Sequence, residues 1–361
     1  MDGSEKIVVF GIDDRSLRIK ISNYLDDRYS ILGVSDFCSG NDYLQNERFV
    51  DVLNLKNESF EYVITCFSDN KRRGQAVYEL IKCGISREKI VQPLLLLSEE
   101  AQNAPDLVAE LANADSDADT VILGLSYSWR GLDHGILKEC VDLSWHGQDL
   151  YYNVQMYNRV IKNIKPRNVL MVFPYYYFNY DMSRSLYQFV SHQIFANRSF
   201  NDWHNAYDSS NDNLKDYMKC IDLFGERFWR NTRWRKENSI DYFVADETRL
   251  ELPDIWKNHY SETFAENTNT FKKFINSIID RGCNPIVVTP PILLDKIVDS
   301  DRKYYFSMKE EFISVMSEYS DKVQFYDCSE LIRDHSFFVD YQHLNELGRK
   351  AFTDAIMHLL E

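Results

Sequence analysis

The chain has 361 residues, 44% hydrophobic and 14% aromatic, more apolar material than one compact core takes up, so two domains are expected. Its formal net charge of -15 repels polyanions over most of the surface, which argues against nucleic acid or an acidic membrane face as a partner. The seven cysteines, Cys38, Cys66, Cys83, Cys140, Cys220, Cys283 and Cys328, are scattered and never spaced as Cys-x-x-Cys. They read as buried thiols in a reducing compartment rather than as a disulfide frame or zinc site. The N-terminal residues enter a strand without an apolar signal core, and no stretch has the length of a membrane span, so a cytoplasmic protein without membrane insertion is expected.

In chain order, Lys6 to Asp13 has the pattern of a buried strand, and Leu17, Ile21 and Leu25 have helical spacing. Strands at 29–34, 61–67 and 89–92, with a helix over 71–82 closed by Gly84, continue the alternation. This predicts a small parallel sheet over 1–97. Residues 98–119 are acidic and alanine-rich and are expected to be a linker.

A second domain is expected over 120–361. It opens with strands at 121–125 and 140–144, a helix over 149–164 and a strand at 168–174. Residues from about 175 to 265, rich in Tyr and Trp, are expected to form a mainly helical insertion. Regular alternation then resumes with a helix over 266–281, a strand at 284–290, a helix over 304–318, a strand at 323–326 and a final helix over 345–360. The fold class is therefore α/β with parallel sheets.

Two stretches carry chemistry. Val121-Ile122-Leu123-Gly124-Leu125-Ser126 ends a strand in Gly-x-Ser, and a hydroxyl just past the carboxyl end of a parallel strand is where open α/β sheets place reacting groups. Asp340-Tyr341-Gln342-His343 sets an acid three residues before a histidine, a spacing that can fix the imidazole tautomer and aim its other nitrogen at a nucleophile. Ser128 is the local competitor of Ser126. The other histidines show no pair at metal-ligand spacing, so no metal and no cofactor are expected.

Over 120–361 these blocks resemble the SGNH (GDSL-like) hydrolases. Gly124-Leu125-Ser126 matches the first block with Leu in place of Asp, Gly147 in Ser144-Trp145-His146-Gly147 matches the second, and Asp340 with His343 matches the last. The third block has no Gly-x-Asn-Asp, and Asn179 is the nearest candidate for its asparagine. The resemblance implies a three-layer α/β/α domain with Ser126 as nucleophile, His343 as base, Asp340 as its orienting acid, and Gly147 and Asn179 as oxyanion donors. Divergent members of this kind resemble proteins that modify bacterial surface polysaccharides. That implies an esterase or O-acyltransferase acting on a glycan or small acyl ester, or a silent module binding glycan or an assembly partner, with self-association left open. The first domain resembles the Rossmann-like modules that precede such domains. Its dinucleotide fingerprint is absent, because Gly11 stands alone before Asp13 and Asp14.

Overall fold

The computed structural model describes residues 4–36, 48–97, 117–184, 204–205, 212–231 and 249–361. Its packing divides the chain into two units, one of Met1–Pro105 with Asp208–Arg235 and one of Asp106–Tyr207 with Lys236–Glu361. In the first unit, strands β1 (Glu5–Phe10), β2 (Tyr29–Ser35), β3 (Tyr62–Thr65) and β4 (Ile90–Val91) form a parallel sheet of order β2-β1-β3-β4. Helix α1 (Arg15–Tyr24) follows β1, α2 (Asn70–Lys82) follows β3, and the short α3 (Leu94–Leu97) follows β4. The two acids after Gly11 are used structurally: Asp14 caps α1 by accepting from the Leu17 amide at 3.0 Å, and Asp13 pairs with Arg72 at 2.9 Å.

The second unit holds a five-stranded, wholly parallel sheet of order β6-β5-β7-β8-β9. Its strands are β5 (Thr120–Gly124), β6 (Cys140–Asp142), β7 (Asn168–Val172), β8 (Asn284–Val288) and β9 (Gln324–Tyr326). The central strands β5 and β7 are buried throughout, the near-continuous apolar reading of a strand covered on both faces. Helices α4 (Ser126–Trp129) and α5 (Leu150–Val160) precede β7. The strand order reverses between β5 and β7, and in sheets of this type ligands bind at that point, beyond the carboxyl ends of the strands. Both units are thus α/β, as expected.

The sequence between β7 and β8 departs from expectation. Of the predicted aromatic insertion, 185–203, 206–211 and 232–248 lie outside the described residues, as do 98–116 of the expected linker. The helix α6 (Asp212–Asn231), expected within the second domain, belongs to the first unit. The reason is a buried ion pair: Asp216, fully buried, accepts from Arg87 at 2.9 and 3.1 Å and from Gln92 at 3.0 Å. Cys220, Leu223 and Phe224 bury the apolar side of α6, and the Leu223 carbonyl accepts from the Asp26 amide at 2.8 Å. Tyr175, Tyr176, Tyr177 and Phe178 are core residues of the second unit. The unit closes with α7 (Asp254–Lys257), α8 (Ser261–Asp280), α9 (Arg302–Ser317) and α10 (Glu346–Ile356).

Among the described residues Cys66, Cys220, Cys283 and Cys328 are buried free thiols, and Cys83 and Cys140 are half-buried free thiols; Cys38 lies outside them. No helix of the described residues is long and apolar enough to cross a membrane.

Candidate active site

Strand β5 ends at Gly124, where the chain turns at once into α4. A Cβ at this position would lie 2.7 Å from the Val172 carbonyl oxygen and 2.8 Å from the Ser128 Cβ, so only glycine lets β5 run this close to β7 and still turn. Leu125, in the place where the resemblance has an acid, is buried and extended at φ -108°. Ser126 therefore opens α4, with its backbone N–H among the first-turn donors that have no intrahelical acceptor. Its neighbour Ser128 is fully buried, which removes it as a competing nucleophile.

The second component is a tight loop ahead of α10. Phe338 and Leu344 form an antiparallel bridge, and the Val339 amide donates to the His343 carbonyl at 2.8 Å. Asn345 caps α10 by accepting from the Gly348 amide at 3.1 Å, while its own amide donates to the Ser336 carbonyl at 2.7 Å. Inside the loop, Asp340 Oδ1 accepts from the backbone N–H groups of Gln342 and His343, each at 2.8 Å, and Oδ2 lies 2.8 Å from His343 Nδ1. Burial pushes the Asp340 carboxyl up, but the hydrogen bond and charge of His343, with the two backbone donors, outweigh it and hold the acid below its ordinary value. An ionised carboxylate only accepts, so Nδ1 carries the ring proton and Nε2 presents its lone pair.

Nε2 faces Ser126 Oγ at 2.9 Å. Side chains 217 positions apart in sequence thus meet beyond the end of β5, in a chain of donors and acceptors running Ser126, His343, Asp340. His343 is further fixed by Tyr127, whose ring stacks on it with centroids 5.3 Å apart and planes at 18°. Tyr127 Oη donates to Gln342 Oε1 at 2.5 Å, and burial raises its phenol far enough that it remains a donor.

Gly147 adopts φ +60°, and its carbonyl accepts from Tyr180 Oη at 2.7 Å. The Gln148 carbonyl accepts from Tyr177 Oη at 3.3 Å. Asn153, fully buried on α5, ties this loop to the serine strand: Oδ1 accepts from the Gly124 amide at 2.9 Å, and Nδ2 donates to the Asp149 and Gln148 carbonyls at 2.9 and 3.2 Å. Sequence reasoning missed Asn153, Tyr177 and Tyr180; a polar residue within the apolar face of α5 was the signal for the first.

Asn179 follows β7 in a short helical turn. Its Nδ2 donates to the Asn258 carbonyl and its Oδ1 accepts from the Tyr260 amide at 2.7 Å, with the side chain buried. Both ends of the amide anchor the 258–260 segment. Three residues after Ser126 and just before Gly147 in the chain, the half-buried Trp129, Trp145 and His146 pack into an aromatic wall, with the Trp129 centroid 5.1 Å from Trp145 and 4.2 Å from His146.

No protein-family model matches the chain, and no curated protein matches it. Among solved structures it is similar to a GDSL-like lipase from Bacteroides thetaiotaomicron, with 9% identity, TM-score 0.38, and coverage of 72% of this chain and 97% of the other. It is also similar to a provisionally named acylhydrolase from Bacteroides fragilis, with 10% identity, TM-score 0.38, and coverage of 72% and 94%. A third is a provisionally named platelet activating factor from Streptococcus pneumonia, with 9% identity, TM-score 0.41, and coverage of 80% and 99%.

Proposed function

We propose that the second unit is an SGNH-like serine esterase or O-acyltransferase whose substrate is an acyl ester of a carbohydrate or polysaccharide precursor. The observation that carries this reading is the 2.9 Å approach of Ser126 Oγ to His343 Nε2 in the tautomer that Asp340 imposes. In the first step Ser126 Oγ attacks the ester carbonyl carbon as its proton passes to Nε2. Negative charge develops on the carbonyl oxygen, and the backbone N–H groups of Ser126 and Gly147 are the donors assigned to it. The intermediate collapses, the carbon–oxygen bond to the alcohol breaks, and His343 returns the proton to the leaving oxygen. Water or a sugar hydroxyl then attacks the acyl-serine by the same proton path, releasing a carboxylic acid or a new ester.

The carbohydrate assignment draws on the wall of Trp129, Trp145 and His146, since flat aromatic faces pack against the C–H faces of sugar rings. An open depression of about 330 Å³, lined by Leu293, Leu294, Asp295, Arg302, Glu330 and Arg333, offers polar groups for an acceptor. It adjoins the histidine loop through the Leu293 amide, which donates to the Tyr341 carbonyl at 2.8 Å.

One observation favours the alternative of a silent glycan- or partner-binding module: the Gly-x-Asn-Asp block is absent after β7, where Asn179 is bonded to the 258–260 segment, and a missing oxyanion donor costs roughly 100- to 1,000-fold in rate. Covalent labelling with a fluorophosphonate separates the two. Labelling of the native protein that vanishes in Ser126→Ala supports the enzyme. A folded native protein that resists labelling supports the silent module.

A further inference from the structure

The second unit gathers another set of ionisable side chains around Asp181. This acid is 4% exposed, and its Oδ1 is taken up by the N–H and hydroxyl of Ser183. Its Oδ2 accepts from Asn205 Nδ2, and His204 and Glu266 of α8 lie close by. One donor atom from each of Asp181, His204 and Glu266 lies within 4.8 Å of the other two, and His204 Nε2 is 3.2 Å from a Glu266 oxygen. The imidazole is held in place from behind. It stacks on Tyr151 with centroids 3.6 Å apart and planes at 2°, and its backbone N–H donates to Tyr152 Oη at 3.0 Å.

The space between the three groups is filled by the side-chain nitrogen of Asn205, which lies 3.1 Å from Asp181 Oδ2, 3.0 Å from His204 Nε2 and 2.8 Å from Glu266 Oε2. An amide nitrogen has two hydrogens, so it cannot serve three acceptors. Nor can His204 Nε2 accept from Asn205 and donate to Glu266 at once. Asn205 itself sits at φ +48°, outside the regions most residues prefer. With Nε2 donating to Glu266, the two Asn205 hydrogens go to Asp181 and Glu266, so a neutral amide stands at the point where these three side chains meet; one imidazole nitrogen with two carboxylates is a ligand set suited to zinc.

We infer that Asp181, His204 and Glu266 form a binding site for a divalent metal ion of the zinc class, with the Asn205 side chain giving way as the ion enters. Bonds of about 2.1 Å in tetrahedral geometry set ligand atoms about 3.4 Å apart, so the trio must contract by no more than about 1.5 Å. The fourth position is left to water. The ion's role is structural. It braces the segment that carries Tyr180, whose hydroxyl holds the Gly147 carbonyl, and Met182, whose amide donates to Asp149 at 3.1 Å. The site stands whether or not Ser126 is a nucleophile.

The test uses the full chain, free of any affinity tag and stripped with a chelator, titrated with Zn²⁺ by calorimetry and with Co²⁺ by visible absorption. One saturable site and a raised Tm are expected. His204→Phe, which keeps the stacking on Tyr151 and removes the ligand, and Glu266→Gln should each weaken Zn²⁺ binding at least about 10-fold. Asn205→Ala removes the occupying amide but no ligand, and should bind at least as tightly as the native chain. Absence of saturable binding in the native protein overturns the inference. So does binding that survives unchanged in both His204→Phe and Glu266→Gln, which would place the ion at another histidine. A third contrary result is an Asn205→Ala protein that melts lower and takes up no ion, for then the cluster is only a hydrogen-bonded network built around that amide.

Discussion

Replacing Asp340 by Asn tests the proposed chemistry without removing volume. The carboxylate accepts three hydrogen bonds at 2.8 Å, two from backbone N–H groups and one from His343 Nδ1. Asn has only one accepting oxygen. If its NH2 turned toward the backbone it would face two N–H donors, so the oxygen stays there and the NH2 faces Nδ1. The imidazole must then present its lone pair at Nδ1, and the ring proton moves to Nε2, 2.9 Å from Ser126 Oγ. Recovering the productive tautomer leaves two donors face to face in a half-buried site, a cost of about 4–5 kcal/mol. That corresponds to a fall in kcat/KM of about 1,000- to 5,000-fold. The assay is hydrolysis of a small acetyl ester beside a thermal melt, with the ring nitrogens of His343 followed by 15N NMR. Native protein should carry the ring proton on Nδ1 and Asp340→Asn on Nε2, with Tm little changed. A folded Asp340→Asn protein that keeps more than about a tenth of native turnover would refute the tautomer argument.

Four further outcomes are expected. Ser126→Ala loses one half-buried hydroxyl and no core volume, so stability should stay within about 1 kcal/mol while fluorophosphonate labelling disappears, as a melt and a gel would show. Gly124→Ala brings a methyl group against Val172 and Ser128; it should lower stability by about 2 kcal/mol and, by displacing the serine turn, cut ester turnover about 100-fold. Arg87→Met leaves the Asp216 carboxylate buried without its cation and should cost about 3 kcal/mol or more, with denaturant unfolding as the measure. Asp327 accepts from Lys309 at 2.8 Å and from Tyr175 at 2.5 Å; burial alone would raise its carboxyl, but Lys309 and the hydroxyl donors hold it well below the ordinary value. A depressed folded value means the stabilisation is complete above the ordinary carboxylate range and is lost as pH falls through the folded value. Lys309→Met should therefore move the acid-unfolding midpoint to higher pH, as circular dichroism would record.

The sheet strands were legible because buried parallel strands write themselves as unbroken apolar runs, as in Val121 to Leu123 and Ile286 to Val288. The Ser126 to His343 approach was legible because both ends sit in local patterns with their own mechanics, a glycine turn and an Asx loop. The partners of Asn179 were not legible because sequence shows that an amide is present but not which groups it faces. The same limit hid Asn153, whose contacts lie 29 positions back at Gly124. The membership of α6 was invisible for a different reason. Its amphipathic pattern declares that one side is buried, whereas the partner surface is chosen by Arg87 and Gln92, well over 100 positions earlier.

That placement of α6 also bears on how the polypeptide emerges from the ribosome. The four-stranded sheet is complete once residue 91 has been made, yet the helix whose Asp216 pairs with the Arg87 guanidinium and Gln92 comes only after β5, β6 and β7 have followed. At about 5–20 residues per second the nascent first unit waits on the order of ten seconds with that surface open. Its final closure is therefore coupled to the synthesis of strands belonging to the other unit. No single cut in the chain can release either unit whole, because the polypeptide crosses between them in both directions.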